Sequence, residues 1–168
     1  KPKNNIKNIF TRVLKGHIAV VKSNLNKYSI GNLIDTRARK FLKEINLDYQ
    51  HGTGHGVGFF LNVHEGPIAI SKGYKIMVRP GHVMSNEPGF YKKGKFGIRL
   101  ENMIYVKKLQ NRTRFKNLTM VPFEKELINF KILTKKERDY LISYNLEIYK
   151  NVEKYLTHEE KFWLLSQF

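Results

Sequence analysis

"VMSNEPGFYKKGKFGIRLENMIYVKKL", Val83 to Leu109, decides the fold class. Val83 to Tyr91 and Ile98 to Leu109 are rich in β-branched and aromatic residues, which favour extended chain. Between them "YKKGKFG" supplies Gly94, a hairpin signal. Antiparallel pairing across such a turn can set Glu87 beside Glu101, fourteen residues on, on one face. Two carboxylates that close repel unless a cation lies between them. Arg99 shares the face of Glu101 and could hold one carboxylate by a bidentate bond. A solvated Glu/Arg ladder of little energetic weight is the plainer alternative. Ile98, Leu100, Met103 and Ile104 flank Glu101 and argue against full exposure.

Upstream lies a second unusual stretch, "YQHGTGHGVGFFLNVHEGP", Tyr49 to Pro67. His51 and His55 are four apart, the spacing of a helical metal pair. Gly52, Gly54, Gly56 and Gly58 surround them, and glycine is a poor helix former. An extended backbone instead puts positions 51 and 55 on one face, so two imidazoles point into one cavity. Val57 to Val63 reads as that extended chain, and His64 could return to the cavity from a neighbouring strand. For any single histidine, packing is the plainer role. Three among glycines, followed by "EGP", are harder to explain that way. The chain has no cysteine, so any metal must sit on His, Asp and Glu. Such donors suit Mn, Zn, Co or Fe without choosing among them.

Working outward, Ile6 to Lys22 carries apolar residues at helical steps, with His17 beside the stripe as a core or edge residue. Ser29 is a candidate N-cap for a helix over Ile30 to Ile45, with Leu33, Ile34, Phe41, Leu42 and Ile45 inward and Asp35 on its exposed face. "NLTMVP", ended by Pro122, reads as a further strand. Thr134 to Tyr155 and Thr157 to Ser166 read as helices, the second opened by a Thr157/Glu160 capping box. Helices and strands segregate, so the expected class is α+β: an antiparallel sheet covered by helices, with a C-terminal helical extension. The row Phe162, Trp163, Leu164, Leu165 either packs on the body or meets a second chain.

At 168 residues and 41% hydrophobic content the chain can bury a sizeable core. No apolar run approaches the ~20 residues of a membrane span. "KPKNNIKNIF" has no signal-peptide core, which favours the cytoplasm, and no starting Met, which suggests a processed or partial chain. A net charge of +17 can mark a nucleic-acid partner. Yet Lys, Asn, Ile, Phe and Tyr abound while only three alanines occur, and the lysines are scattered rather than blocked. Compositional drift of an AT-rich genome outweighs nucleic-acid binding as the explanation.

"HGTGHGVGFFLNVHEGP", "NEPGFY" and "FGIRLEN", in this order, resemble the catalytic-domain motifs of aminopeptidase P, the Xaa-Pro aminopeptidases. "VLKGHIAV" and "LDYQHGTGHG" are similar to its large, three-domain cytosolic type, as is the tail from "LTMVPFEKELINF" onward. The resemblance implies a pita-bread metallopeptidase fold, with residues 1–121 the C-terminal portion of the catalytic domain and 122–168 a helical extension that could dimerise. It implies His55, Glu87 and Glu101 as metal ligands, with Glu87 also accepting the proton of the attacking water. It implies His51 at the substrate, His64 at the scissile carbonyl, and Arg99 in support. The reaction implied is removal of the first residue of a peptide whose second residue is proline, with Mn or Zn as the metal.

In one respect the chain departs from that pattern. The resemblance implies a site of two metals on five ligands, two of them aspartates from a region that would precede Lys1. Asp35, Asp48 and Asp139 stand in no matching motif. One metal at most would be well ligated here, and the chain is expected to be a fragment, inactive alone, that works with a complementing N-terminal half or not at all. Two other readings remain: a prolidase-like dipeptidase, and a non-catalytic pita-bread module that binds peptide or nucleic acid.

Overall fold

Apolar residues at three- and four-residue steps wind helix α1 over Asn4–Val21, burying Phe10, Val13, Leu14 and Ile18. The computed structural model describes residues 2–60 and 62–168; Lys1 and Leu61 lie outside the described residues. The chain divides into two units, Arg12–Thr119 and Lys1–Thr11 with Met120–Phe168.

In the first unit, α2 spans Gly31–Lys43 and buries Ile34, Ala38 and Leu42. Its N-cap is Ile30, with no side-chain cap; the expected cap, Ser29, gives its carbonyl to the Val78 N–H instead. Leu33 and Ile45, expected inward, are exposed, because the buried stripe is the narrow i, i+4 row. Arg12 ties the end of α2 to α1, reaching the Phe41 carbonyl at 2.7 Å and Glu44 at 2.9 Å.

All strand pairs are antiparallel. β1 (Gly54–His55) pairs with β2 (Ala69–Ile70), which α2 packs against. β3 (Val83–Asn86) pairs with β6 (Asn102–Leu109), and β6 with β7 (Arg112–Asn117). β4 (Gly89–Lys92) pairs with β5 (Phe96–Arg99). Gly94, at a φ of 68°, makes the turn between them in the left-handed region that suits glycine. Asn86 faces Asn102 and Gly89 faces Arg99, the same offset. One register therefore runs from Val83/Tyr105 to Lys92/Phe96 and sets Glu87 opposite Glu101. The Leu100 N–H bonds the Pro88 carbonyl at 3.2 Å within the gap.

Two expected strands differ. Of Val57 to Val63, the described residues, all but Leu61, form no strand: Phe59 and Phe60 are 89% and 88% exposed, and Phe60 has a φ of 65°. Their aromatic character mimics a strand, but they have no packed face to join, and the Glu65 N–H closes the loop on the Gly56 carbonyl. The last strand ends at Asn117, paired with Ile104, so "NLTMVP" is no separate strand; past it the Leu118 N–H bonds the Met103 carbonyl at 2.8 Å and the Thr119 hydroxyl takes the Met103 N–H at 2.9 Å.

His17 is fully buried in α1, and burial lowers its pKa from 6.5 to about 3. The unfolded chain thus takes up this proton first. Stability is intact above pH 6.5 and is lost as pH falls toward 3, by up to ~1.4 kcal/mol per unit. Urea denaturation at pH 7 and pH 5 measures this, and a His17→Leu variant is expected to show the flatter dependence. Equal slopes in the two proteins would assign the loss to other groups.

In the second unit, α3 (Lys135–Val152) and α4 (His158–Ser166) each open on a capping box, Thr134/Glu137 and Thr157/Glu160. Tyr144, Ile148 and Leu164 form the buried cluster between them. Of the apolar row, Leu164 packs, while Phe162 and Trp163 are each 63% exposed. No helix among the described residues is long and apolar enough to cross a membrane.

Candidate active site

Gly56 bridges Met84, so β1 runs antiparallel beside β3, with His55 opposite Ser85 and Thr53 opposite Glu87. A glycine is needed at position 54, where an added Cβ would collide with the Ser85 carbonyl. The Glu87 N–H bonds the Thr53 carbonyl at 2.8 Å, which confirms the rung.

This pairing brings the His55 Nε2 to 3.2 Å from Glu87 Oε1. The His55 Nδ1 is 2.9 Å from the Gly56 carbonyl, which can only accept, so Nδ1 carries a proton. The Nε2 lone pair then faces a carboxylate oxygen. Two acceptors at this distance require a cation between or beside them, a proton or a metal ion. Nitrogen and oxygen ligands at ~2.1 Å from one ion stand about 3.0–3.4 Å apart, so the pair fits a metal. The other carboxylate oxygen, Oε2, meets Arg99 Nη1 at 3.3 Å.

His51 is fixed in the same way. Its Nδ1 lies 2.7 Å from the Gly52 carbonyl, so Nε2 accepts from the Tyr91 hydroxyl at 3.0 Å. Arg99 Nε donates to that hydroxyl at 2.7 Å. Burial works against the Arg99 charge, but the hydrogen bond to Tyr91 and the charges of Glu87 and Glu101 raise its pKa overall. A chain of contacts therefore links His51, Tyr91, Arg99, Glu87 and His55. His64 returns to it from the loop, its ring 4.1 Å from that of His55. Glu101 is exposed, opposite Glu87 in register. Among the described residues no three His, Asp or Glu side chains are gathered closely enough to cage an ion. The pair is assembled, and the third expected ligand is not in contact with it.

Beneath the histidines sits a buried cluster. Arg39 donates from Nε to Asp35 at 2.7 Å, from Nη1 to Asp48 at 2.8 Å and to the Tyr49 carbonyl at 2.7 Å, and from Nη2 to the His51 carbonyl at 2.6 Å. Thr53 donates to the second Asp35 oxygen at 2.6 Å. Asp35 is therefore not on an exposed helix face: it is 1% exposed and fully engaged. Burial pushes the Tyr49 phenol up, and the Asp35 and Asp48 charges add to this; the Thr53 hydrogen bond and the Arg39 guanidinium, 4.0 Å above the ring, oppose it without cancelling it.

Sequence reading missed Ser85, Tyr91, Arg39 and Thr53. Ser85 stands two before Glu87 on one strand face, and Arg39 four after Asp35 on one helix face, so spacing carried a signal for both. Tyr91 carried none. A cavity of about 840 Å3 opens beside the site, lined by Val57, Phe59, Ile68, Met77, Arg79 and His82; neither His55 nor Glu87 lines it.

Comparison with known proteins follows the same lines. Metallopeptidase family M24 matches residues 1–108, and the C-terminal region of peptidase M24 matches residues 111–167. A probable Xaa-Pro aminopeptidase P of Botryotinia fuckeliana is 44% identical over 165 residues, covering 92% of this chain and 25% of that protein. One of Fusarium vanettenii is 42% identical over 162 residues, covering 90% and 26%. Among solved structures, the X-prolyl aminopeptidase of Caenorhabditis elegans, described as a cytosolic enzyme with a di-nuclear active site, matches with a TM-score of 0.89. The identity there is 34%, over 99% of this chain and 29% of that one. A prolidase from Pyrococcus furiosus matches with a TM-score of 0.64 at 27% identity, over 73% and 35%. The fold is thus the pita-bread fold, in part, and the chain spans about a quarter of the length of the curated relatives it matches.

Proposed function

The chain belongs to metallopeptidase family M24, and from that premise we propose that it carries the histidine–glutamate side of an Xaa-Pro aminopeptidase site. The enzyme would release the first residue of peptides whose second residue is proline. One observation carries this reading: the tautomer-fixed Nε2 of His55 facing Glu87 Oε1 at 3.2 Å. His55 and Glu87 would hold the ion, Mn or Zn, with Glu101 joining from the opposite strand. When bound, such an ion supplies a water nucleophile at neutral pH and offsets developing negative charge. The Glu87 carboxylate would take the proton of that water. His64, whose ring lies against that of His55, would donate toward the oxyanion. His51, backed by Tyr91 and Arg99, would hold substrate and pass protons.

The complete family site takes two ions, and this chain offers good ligation to one at most. Asp35 and Asp48 are committed to Arg39, and Asp139 lies on α3. The 168 residues alone are therefore expected to release no amino acid from an Xaa-Pro-Pro peptide with Mn present, as read by amine detection. Activity would need a complementing segment that brings two aspartates. Metal-dependent release by the purified chain, well above the blank, would sink this part.

We take residues 1–121 as the catalytic portion and 122–168 as an extension; the unit boundary at Thr119 and Met120 favours a division near there, while Lys1–Thr11 group with the extension. The exposed Phe162 and Trp163 are the candidate dimer contact, which a monomeric mass in solution would count against. A cytoplasmic setting accords with the relative described as cytosolic. Prolidase-like cleavage of dipeptides is the second reading, favoured by the prolidase likeness; coverage of 99% by the aminopeptidase against 73% ranks it lower.

A further inference from the structure

We propose that Ser85 is a positioning residue that fixes the Glu87 carboxylate against His55; the inference rests on the reading of that pair as metal ligands. Ser85 is 0% exposed, on β3 directly opposite His55. Its hydroxyl has one proton to give and lone pairs to accept with. The proton goes to Glu87 Oε1 at 2.9 Å. The backbone N–H of His55 donates to the same hydroxyl oxygen at 2.9 Å. One atom thus joins the backbone of one proposed ligand to the carboxylate of the other.

The oxygen that Ser85 holds is the one that faces His55 Nε2. Arg99 holds the other oxygen, but its side chain is 44% exposed and open to competition from water. The buried hydroxyl is the constraint that water does not reach. Without it the carboxylate is free to turn toward Arg99, and the His55 N–H loses its acceptor. Partners of this kind behind a ligand set its orientation and raise affinity for the ion.

The test compares three variants of the full chain by calorimetric titration with Mn2+ and Zn2+, with far-UV circular dichroism as the check on folding. Ser85→Ala is expected to weaken binding roughly 10–100-fold. Ser85→Thr and Ser85→Val have nearly the same shape and differ in the hydroxyl, so they decide the matter even if the alanine variant folds poorly. The threonine variant is expected within about threefold of the parent, and the valine variant at least about tenfold weaker. The Co2+ absorption spectrum of the threonine variant is expected to match the parent, and that of the valine variant to shift. Equal affinities for threonine and valine would overturn the role of Ser85. A His55→Ala control separates the two levels. If it binds as the parent does, the metal reading fails, and the Ser85 inference with it. If it loses binding while all Ser85 variants keep theirs, only the Ser85 inference fails.

Discussion

Replacing His55 or Glu101 with alanine is expected to remove measurable Mn or Zn binding from this chain. His55 offers a nitrogen that a fixed tautomer aims at a buried carboxylate. Glu101 is the carboxylate that the hairpin register sets opposite Glu87. Loss of a residue that merely supports a ligand costs about 10–100-fold in affinity, so loss of the ligand itself exceeds that range. Calorimetric titration reads the effect directly, with at most one ion expected per parent chain. Unchanged isotherms in both variants would refute the ligand assignment. An effect of His55→Ala without one of Glu101→Ala would confine the site to the pair that is already in contact.

Arg39→Ala is expected to cost about 3–5 kcal/mol of stability, because it strands the buried Asp35 carboxylate without its counter-ion. Domains of this kind are stable by about 5–15 kcal/mol, so the variant sits close to the unfolding threshold. Lysine is not expected to rescue it, since one ammonium cannot reproduce a planar fork reaching Asp35, Asp48 and two carbonyls. The Asp48 arm is the weaker one, with a side chain 29% exposed. Burial raises the Asp48 pKa, but the bonds from Arg39 and the Tyr49 N–H and the charges of Arg39 and Lys43 outweigh it and hold it below 3.8. That contribution is present above the unfolded value and is lost as pH falls below it. Urea denaturation measures both effects. A loss under about 1 kcal/mol for Arg39→Ala would mean that the cluster is replaceable by solvent.

The hairpin was legible because its signals are local. Gly94 marks the turn, and the residues on either side count back to Glu87 and forward to Glu101. The motif histidines were legible because glycine excluded the helix that their spacing suggested. What was not legible depends on partners distant in sequence. Phe59 and Phe60 have strand character but no sheet to enter. Asp35 has the character of a surface helix residue, and only the return of Tyr49 and Thr53 to α2 buries it. Tyr91 is one aromatic among many until Arg99 and His51 converge on its hydroxyl.

The shared register of the two strand pairs sets a rule for how this segment can vary in length. Residues inserted at the Gly94 tip fall beyond the last rung, Lys92 with Phe96, and leave Glu87 facing Glu101. One residue gained or lost on a single arm, between Glu87 and Lys92 or between Phe96 and Glu101, moves the carboxylates one rung apart. It also sends one of them to the opposite face. Insertions and deletions in related chains are therefore expected to collect at the tip, and elsewhere to occur as matched changes on both arms.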